Sequence, residues 1–352
     1  MKRIITTALA PAMFCAAFAT GTAAQDLPQQ AFKVVGTWSN LNNWKAVEHP
    51  LWTEIVPERS NGKISATLQS VSELGLNGTE VIRFLQLGLF DFAHALAVYV
   101  AEDAVIEGVD IAGVAGSVED ARKATDAYFP IASKKFEADY KARILGFYSW
   151  PTQLIYCNGA FDSLADLAGR KIRVQGASQG DFVEGLGATG VTMPFGEVVP
   201  ALQRGTVDCA ITGAMPAYQA GWHEVTTHML DMPVGVTISF AAVSLASWNK
   251  MDAPTQTFIQ ETVDGLADSW WDVAISDDRE GRACMTGQGT CTVGTPGTLV
   301  MVVPTDESKA LREKILTETV LRRWADRCGS DSCTEDWNAT IGAALGLTAS
   351  GS

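Results

Sequence analysis

Apolar residues recur along the chain in two rhythms, and their alternation predicts the fold class. Phe32 to Gly36 is a short apolar run that stops at a glycine, which predicts a strand. Trp44, Val47, Leu51, Trp52 and Ile55 follow at helical spacing and Pro57 ends the pattern. After the Asn61-Gly62 turn, Ile64, Ala66 and Leu68 alternate as in a half-buried strand. Thr79 is placed to cap a helix through Gln86 that buries Val81, Ile82 and Leu85, and Phe90 to Ala95 reads as a third strand. Strand–helix–strand–helix–strand implies a parallel sheet with helices on its faces.

The rhythm resumes downstream. Val118 to Phe136 is helical, and Ile144 to Trp150 and Leu154 to Cys157 read as two strands. Lys171 to Gln175 is a strand that leads through Gly176 to a helix from about Asp181; Val191 to Met193 is another strand. Val198 to Arg204 is a helix that stops at Gly205, and Val207 to Thr212 is a strand. Thr255 to Ile275 reads as one long helix with Phe258, Ile259, Val263, Leu266 and Trp270 on one side. Leu299 to Val303 and Ser308 to Ala325 supply a last strand and a closing helix.

The first residues change the picture of where this α/β chain works. Lys2 and Arg3 precede a mostly apolar stretch to Thr20, and Thr22-Ala23-Ala24 offers a cleavage point before Gln25. Residues 1–24 therefore read as a secretory signal peptide, and the remainder as a free soluble periplasmic protein. Cys15 follows Phe14, which is too bulky for a lipid-attachment site. No later uncharged run is long enough to span a bilayer. What remains after cleavage is too long for one ordinary core and predicts two lobes. Loss of Lys2 and Arg3 takes the net charge from −14 to −16, which repels nucleic acid and anionic lipid. Any anionic ligand then needs a local cation.

Six cysteines stay in the mature chain. Cys284 with Cys291 and Cys328 with Cys333 sit in loop-like, Gly/Ser/Thr-rich segments and predict two local disulfides in an oxidising compartment. Cys157 and Cys209 lie on apolar stretches and are read either as a third pair or as two buried thiols. No Cys-x-x-Cys occurs and the four histidines are scattered, so neither a metal nor another cofactor is implied.

Three motifs suggest chemistry. Gly176-Ala177-Ser178-Gln179-Gly180 matches G-x-S-x-G between a strand and a helix, with Asp208 and His223 or His228 downstream. A secreted serine hydrolase using Ser178 is thus the enzyme alternative. Against it, Lys171, Arg173 and Gln175 make the preceding strand too polar for a buried hydrolase strand, and no glycine-rich oxyanion segment lies upstream. Gly185 to Gly190 matches G-x-G-x-x-G but ends a helix and leads into a strand, the reverse of a dinucleotide fingerprint. His223 and His228 are five apart and so diverge by about 140° on a helix, unlike zinc-protease histidines. Arg173 stands apart, as a guanidinium within an apolar strand. It is either paired with a protein acid or aimed into a cleft to hold a carboxylate by two parallel bonds. Trp38, Trp150, His94 and Thr212 fall at strand ends, where open α/β sheets bind ligands.

An ordered series of residues resembles the substrate-binding proteins of tripartite ATP-independent periplasmic (TRAP) transporters. It comprises Asp166-Leu167-Ala168-Gly169-Arg170-Lys171-Ile172-Arg173-Val174, Leu186-Gly187-Ala188, Glu197 through Asp208, and His223-Glu224-Val225. Upstream, Ser60-Asn61-Gly62-Lys63-Ile64, Glu73-Leu74-Gly75 and Leu87-Gly88-Leu89-Phe90-Asp91 also match. The resemblance implies a two-lobed periplasmic-binding-protein fold, each lobe a central sheet flanked by helices, joined by hinge strands and a long helix. It implies lobe I over 25–150 with about 236–280, and lobe II over 151–235 with about 281–352. It implies a binding role without catalysis, with a small organic carboxylate as ligand and TRAP membrane permease subunits as partners. Arg173 would take the carboxylate. By approximate position Ser39, Asn40, Ser72, Glu73, His94, Trp150, Thr152, Phe195 and Thr212 would face the cleft, beside the Trp38 already placed at a strand end. The segment Trp150-Pro151-Thr152-Gln153 lacks the second arginine many members carry, and Thr212-Gly213 replaces a frequent asparagine. A pocket less cationic and more aromatic points to an aromatic or otherwise apolar monocarboxylate such as a benzoate-like acid. The alternative is a hydroxy acid or sugar acid.

Overall fold

The computed structural model describes residues 27–100 and 103–352; the signal segment lies outside them. The ten strands are β1 Gln30–Gly36, β2 Ile64–Ser70, β3 Phe92–Leu96, β4 Ala142–Cys157, β5 Lys171–Val174, β6 Thr189–Thr192, β7 Cys209–Gly213, β8 His228–Leu230, β9 Val236–Ser244 and β10 Val300–Val302. They run in the order β2-β1-β3-β9-β4-β7-β5-β6, with β8 on β4 and β10 on β8. β1 is parallel to β2 and β3, as the first 95 residues predict. β9 then enters antiparallel between β3 and β4, so the sheet is mixed.

Two lobes share one strand. The first half of β4 pairs with β9 and the second half with β7 and β8. The sequence reads this strand as two because Pro151 cannot donate to a ladder. The chain stays extended because the pairing changes there. The register with β9 slips between Ser149 and Thr152, leaving Trp150 and Pro151 in a bulge. The single helix predicted over 255–275 is likewise two, Ala253–Asp264 and Ala267–Thr286, parted at Gly265. The second, which the sequence places too early, crosses β4 and packs on Ala214–Gln219. Gly281 allows that approach, since a Cβ there would meet the Met215 backbone nitrogen at 2.2 Å.

Other elements fall close to their predicted places. The helical stretch over 42–59 buries Trp44, Val47, Leu51, Trp52 and Val56. The helix Gly78–Gln86 is capped by Asn77, whose side chain accepts from Glu80 N while Glu80 returns a bond to Asn77 N. Asn77 thus takes the place predicted for Thr79. The C-terminal helices tie distant parts of the chain together: Arg312 donates to the carbonyls of Pro233 and Gly113, and Trp324 Nε1 to the carbonyl of Ala104. No helix among the described residues is long and apolar enough to cross a membrane.

The six cysteines among the described residues pair, Cys284 with Cys291, Cys328 with Cys333, and Cys157 with Cys209. The last pair closes a question the spacing left open. Cys157 and Cys209 are directly opposite on β4 and β7 and wholly buried. With a sequence separation of 52, this bridge strongly restricts the unfolded chain. Replacing both cysteines by alanine is expected to cost about 3 kcal/mol. It would appear as a lower urea midpoint with an intact circular-dichroism spectrum; an unmoved midpoint would contradict the expectation.

Candidate functional site

The site starts from the alternation of β5. Ile172 and Val174 face the core, and Arg173 between them faces the other way, 1% exposed. Its Nε donates to the carbonyl of Met193 (3.1 Å) and its Nη1 to that of Ile211 (3.0 Å), just past β6 and on β7. Two of the guanidinium's five donors are thereby used. Among the described residues no carboxylate forms an ion pair with it. Burial pulls its pKa down to about 10, with Tyr99 nearby opposing the shift, so the group stays charged at neutral pH. A buried cation without a counter-charge is costly.

Arg173 faces a cavity of about 20 Å³, room for roughly one water. Trp38, Tyr99, Trp150 and Phe195 form its aromatic walls, and Gln153, Gln175, Thr212 and Thr237 its polar ones. The indole of Trp38 meets those of Trp150 and the ring of Phe195 at centroid distances of 6.1 and 5.5 Å. The β4 bulge aims Trp150 inward, and its Nε1 donates to Ser239 Oγ (2.8 Å). Gln175 Nε2 donates to Gln153 Oε1 and Thr237 Oγ1 to Gln175 Oε1, so those amides hold one another in place.

Trp38 is set by a buried polar chain behind it. Thr37 donates through N and Oγ1 to Glu48 (2.7 and 2.6 Å), and Tyr148 Oη donates to the same carboxyl (3.0 Å). Trp52 Nε1 donates to His94 Nε2 (2.8 Å), which leaves Nδ1–H for Tyr148 Oη (3.2 Å). Burial lowers the His94 pKa to about 3 and raises that of Glu48 to about 7. His94 is therefore neutral and its tautomer follows from its partners.

Of the residues singled out from the sequence, Arg173, Trp38, Trp150, Phe195 and Thr212 come together here. The others lie elsewhere. His94 is turned into the core behind Trp38. Asn40 borders a separate surface groove with Lys45 and Gln219, and Ser39 is absent from the described lining. Ser72 borders a larger groove that also has Trp38, Tyr99 and Phe195 in its lining, while Glu73 closes the Ser70 capping box. Thr152 is tied to Asp278 and Arg282 at the hinge.

Tyr99, Gln153, Gln175 and Thr237 are lining residues that sequence reasoning missed. Gln175, directly after β5, carries a signal like that of Arg173, a polar residue adjoining apolar strand positions. Tyr99 escapes because β3 ends at Leu96 rather than Ala95 and a short helical turn, Ala97–Tyr99, follows. Thr237 lies on β9, a strand the pattern did not predict.

Ser178 is structural in its contacts. Its Oγ accepts from Ala112 N (3.2 Å) and faces the carbonyl of Asp110, with no histidine among its partners. The G-x-G-x-x-G segment is a helix end, a left-handed turn at Gly187 and the start of β6.

Residues 35–295 match the family model for DctP, the bacterial extracellular solute-binding proteins of family 7. The fold is similar to that of a TRAP periplasmic solute-binding protein from Desulfovibrio salexigens with bound orotic acid (TM-score 0.78, 16% identity, 90% of this chain and 99% of that one). It is also similar to DctP6 of Bordetella pertussis, an extracytoplasmic solute receptor binding pyroglutamic acid (TM-score 0.77, 19% identity, 90% and 99%). A third similar structure is the TRAP solute-binding protein of Haemophilus influenzae with bound L-gulonate (TM-score 0.78, 16% identity, 90% and 100%).

Proposed function

Because the chain belongs to family 7 of the bacterial extracellular solute-binding proteins, a family of binding proteins rather than enzymes, we propose that it is the periplasmic receptor of a TRAP transporter that captures one small organic carboxylate on Arg173 and delivers it to the membrane permease. One observation carries the reading. A fully buried guanidinium keeps donors free and has no counter-ion among the described residues, a cost that an anionic guest offsets. The other lining residues add apolar area and neutral hydrogen-bonding groups, as small-molecule sites do. With one cation and four aromatic walls, the favoured ligand is an aromatic or otherwise apolar monocarboxylate such as a benzoate-like acid. A hydroxy acid or sugar acid is the second reading, favoured by Gln153, Gln175, Thr212 and Thr237 in the lining and by the gulonate bound to the Haemophilus relative.

The cavity is too small for any such acid in this conformation, so entry requires the lobes to part and recapture requires them to close. We take the lobes as 25–150 with about 236–280, and 151–235 with about 281–352. The exchange of partners along β4 at Pro151 supports that division. A ligand drives closure only through its greater affinity for the closed form. Closure changes the outer face that a permease reads.

A thermal-shift screen of monocarboxylates, dicarboxylates and sugar acids tests the assignment, paired with mass spectrometry of acids released on denaturing the purified protein. Stabilisation by aromatic monocarboxylates is the expected result. Stabilisation by sugar acids alone would move the assignment to the second reading, and none by any acid would overturn the receptor role.

A further inference from the structure

The cavity at Arg173 shares a wall with a much larger space. A groove of about 920 Å³ lies on the other side of Trp38, Tyr99, Gln175 and Phe195, and those four side chains line both. Trp38 comes from the loop after β1 in one lobe and Phe195 from the turn after β6 in the other. Both are only partly buried. Phe195 has its own support, a stacked contact with buried Trp222 at 5.6 Å. The groove beyond is lined by small or apolar groups, among them Val98, Gly176, Ala177, Met193 and Pro194. Arg327, the cation among its described lining residues, is already held by Glu107 and Asp181. A second ligand carboxylate therefore finds no free partner there, while an apolar body finds a bed.

The inner cavity, with room for roughly one water in this conformation, can widen on lobe movement to take a carboxylate head but not the body of an acid. We propose that the ligand spans both spaces: a monocarboxylate with its charged end on Arg173 and an elongated apolar body that, with the lobes parted enough to separate the touching Trp38 and Phe195 rings, runs between them into the groove. This deepens the function proposed above and rests on it. It names a longer acid than a compact ring, one whose reach past the aromatic pair supplies selectivity. Dicarboxylates are rejected because their second charge would lie beside Glu107 and Glu197 with no free cation among the described lining residues.

Isothermal titration of the mature protein with benzoate, phenylacetate, 3-phenylpropanoate and 4-phenylbutanoate tests the idea. Affinity is expected to rise along the series, by up to about fourfold per fully buried methylene. Ala177→Trp narrows the groove at an exposed lining position outside the inner cavity. It is expected to weaken 4-phenylbutanoate at least tenfold and benzoate less than twofold. Affinity that is flat or falls with length overturns the proposal. So does an Ala177→Trp variant that binds 4-phenylbutanoate as the parent does, or that weakens both acids alike. In those cases compact acids would still require Arg173, and the receptor role would stand. If no acid binds, or binding is indifferent to Arg173, both readings fall together.

Discussion

Replacing Arg173 by methionine is expected to weaken acid binding by about thirtyfold or more while leaving the ligand-free protein as stable as before. The affinity loss follows from the burial. A desolvated charge-assisted pair is worth about 2–5 kcal/mol when one partner is truncated, and each 1.4 kcal/mol is about tenfold. The unchanged stability follows from two opposing terms. Methionine removes a buried cation that has no counter-charge among the described residues and fills a similar volume. It also orphans the carbonyls of Met193 and Ile211, each worth about 1–3 kcal/mol. Thermal melts should therefore show similar ligand-free midpoints, with the ligand-induced rise present only in the parent. Arg173→Lys keeps the charge but loses the planar fork, and should fall between the two. Undiminished affinity in the methionine variant would remove the basis of the proposed function.

How far the sequence could go is clearest at two strands. β5 was legible because its apolar neighbours are interrupted by one guanidinium, and a local pattern suffices to flag that conflict. The partners of Arg173 were not legible. The Ile211 and Met193 carbonyls arrive from β7 and the end of β6, and backbone acceptors carry no residue-type signature. β4 was read as two strands because Pro151 is a strong local breaker. The override is tertiary, a change of pairing partner and a bulge that turns Trp150 inward. His94 illustrates the opposite error. It is the middle residue of β3 rather than near its end, and which face it shows depends on register, where one residue of slip exchanges cleft for core. The break at Gly265 was invisible for a similar reason, since an isolated glycine is tolerated in many helices. The Cys157–Cys209 pair needed the β4–β7 register, which lies beyond any spacing rule.

That same crossing helix carries the last expectation, an acid-strengthened hinge. Asp277 on Ala267–Thr286 is 3% exposed, accepts from Asn42 Nδ2 (2.7 Å), and has no partner for Oδ2 among the described residues. Asn42 N in turn donates to Gln219 Oε1 across the lobes (2.9 Å). Burial raises the pKa of Asp277 to about 7, Asn42 opposes, and Glu280 and Asp278 add to the rise. The carboxyl thus holds its proton in the folded protein at pH values where the unfolded chain has released it. The folded state binds the extra proton between pH 4 and 7, so stability contributed by this group is present at low pH and is lost as pH rises through about 7. The difference of about three pH units corresponds to at most about 4 kcal/mol. Asp277→Asn keeps the shape and stays neutral, so its stability relative to the parent should climb from near parity at pH 4 to a gain of about 2–4 kcal/mol at pH 8. Glu48, also raised to about 7, bends both curves alike and cancels in the comparison. Urea unfolding at pH 4, 6 and 8 reads the difference directly. A gap that stays constant with pH would mean that Asp277 is ionised in the fold, and that the Asn42–Asp277 bond joins the hinge helix to lobe I as a charged contact rather than a neutral one.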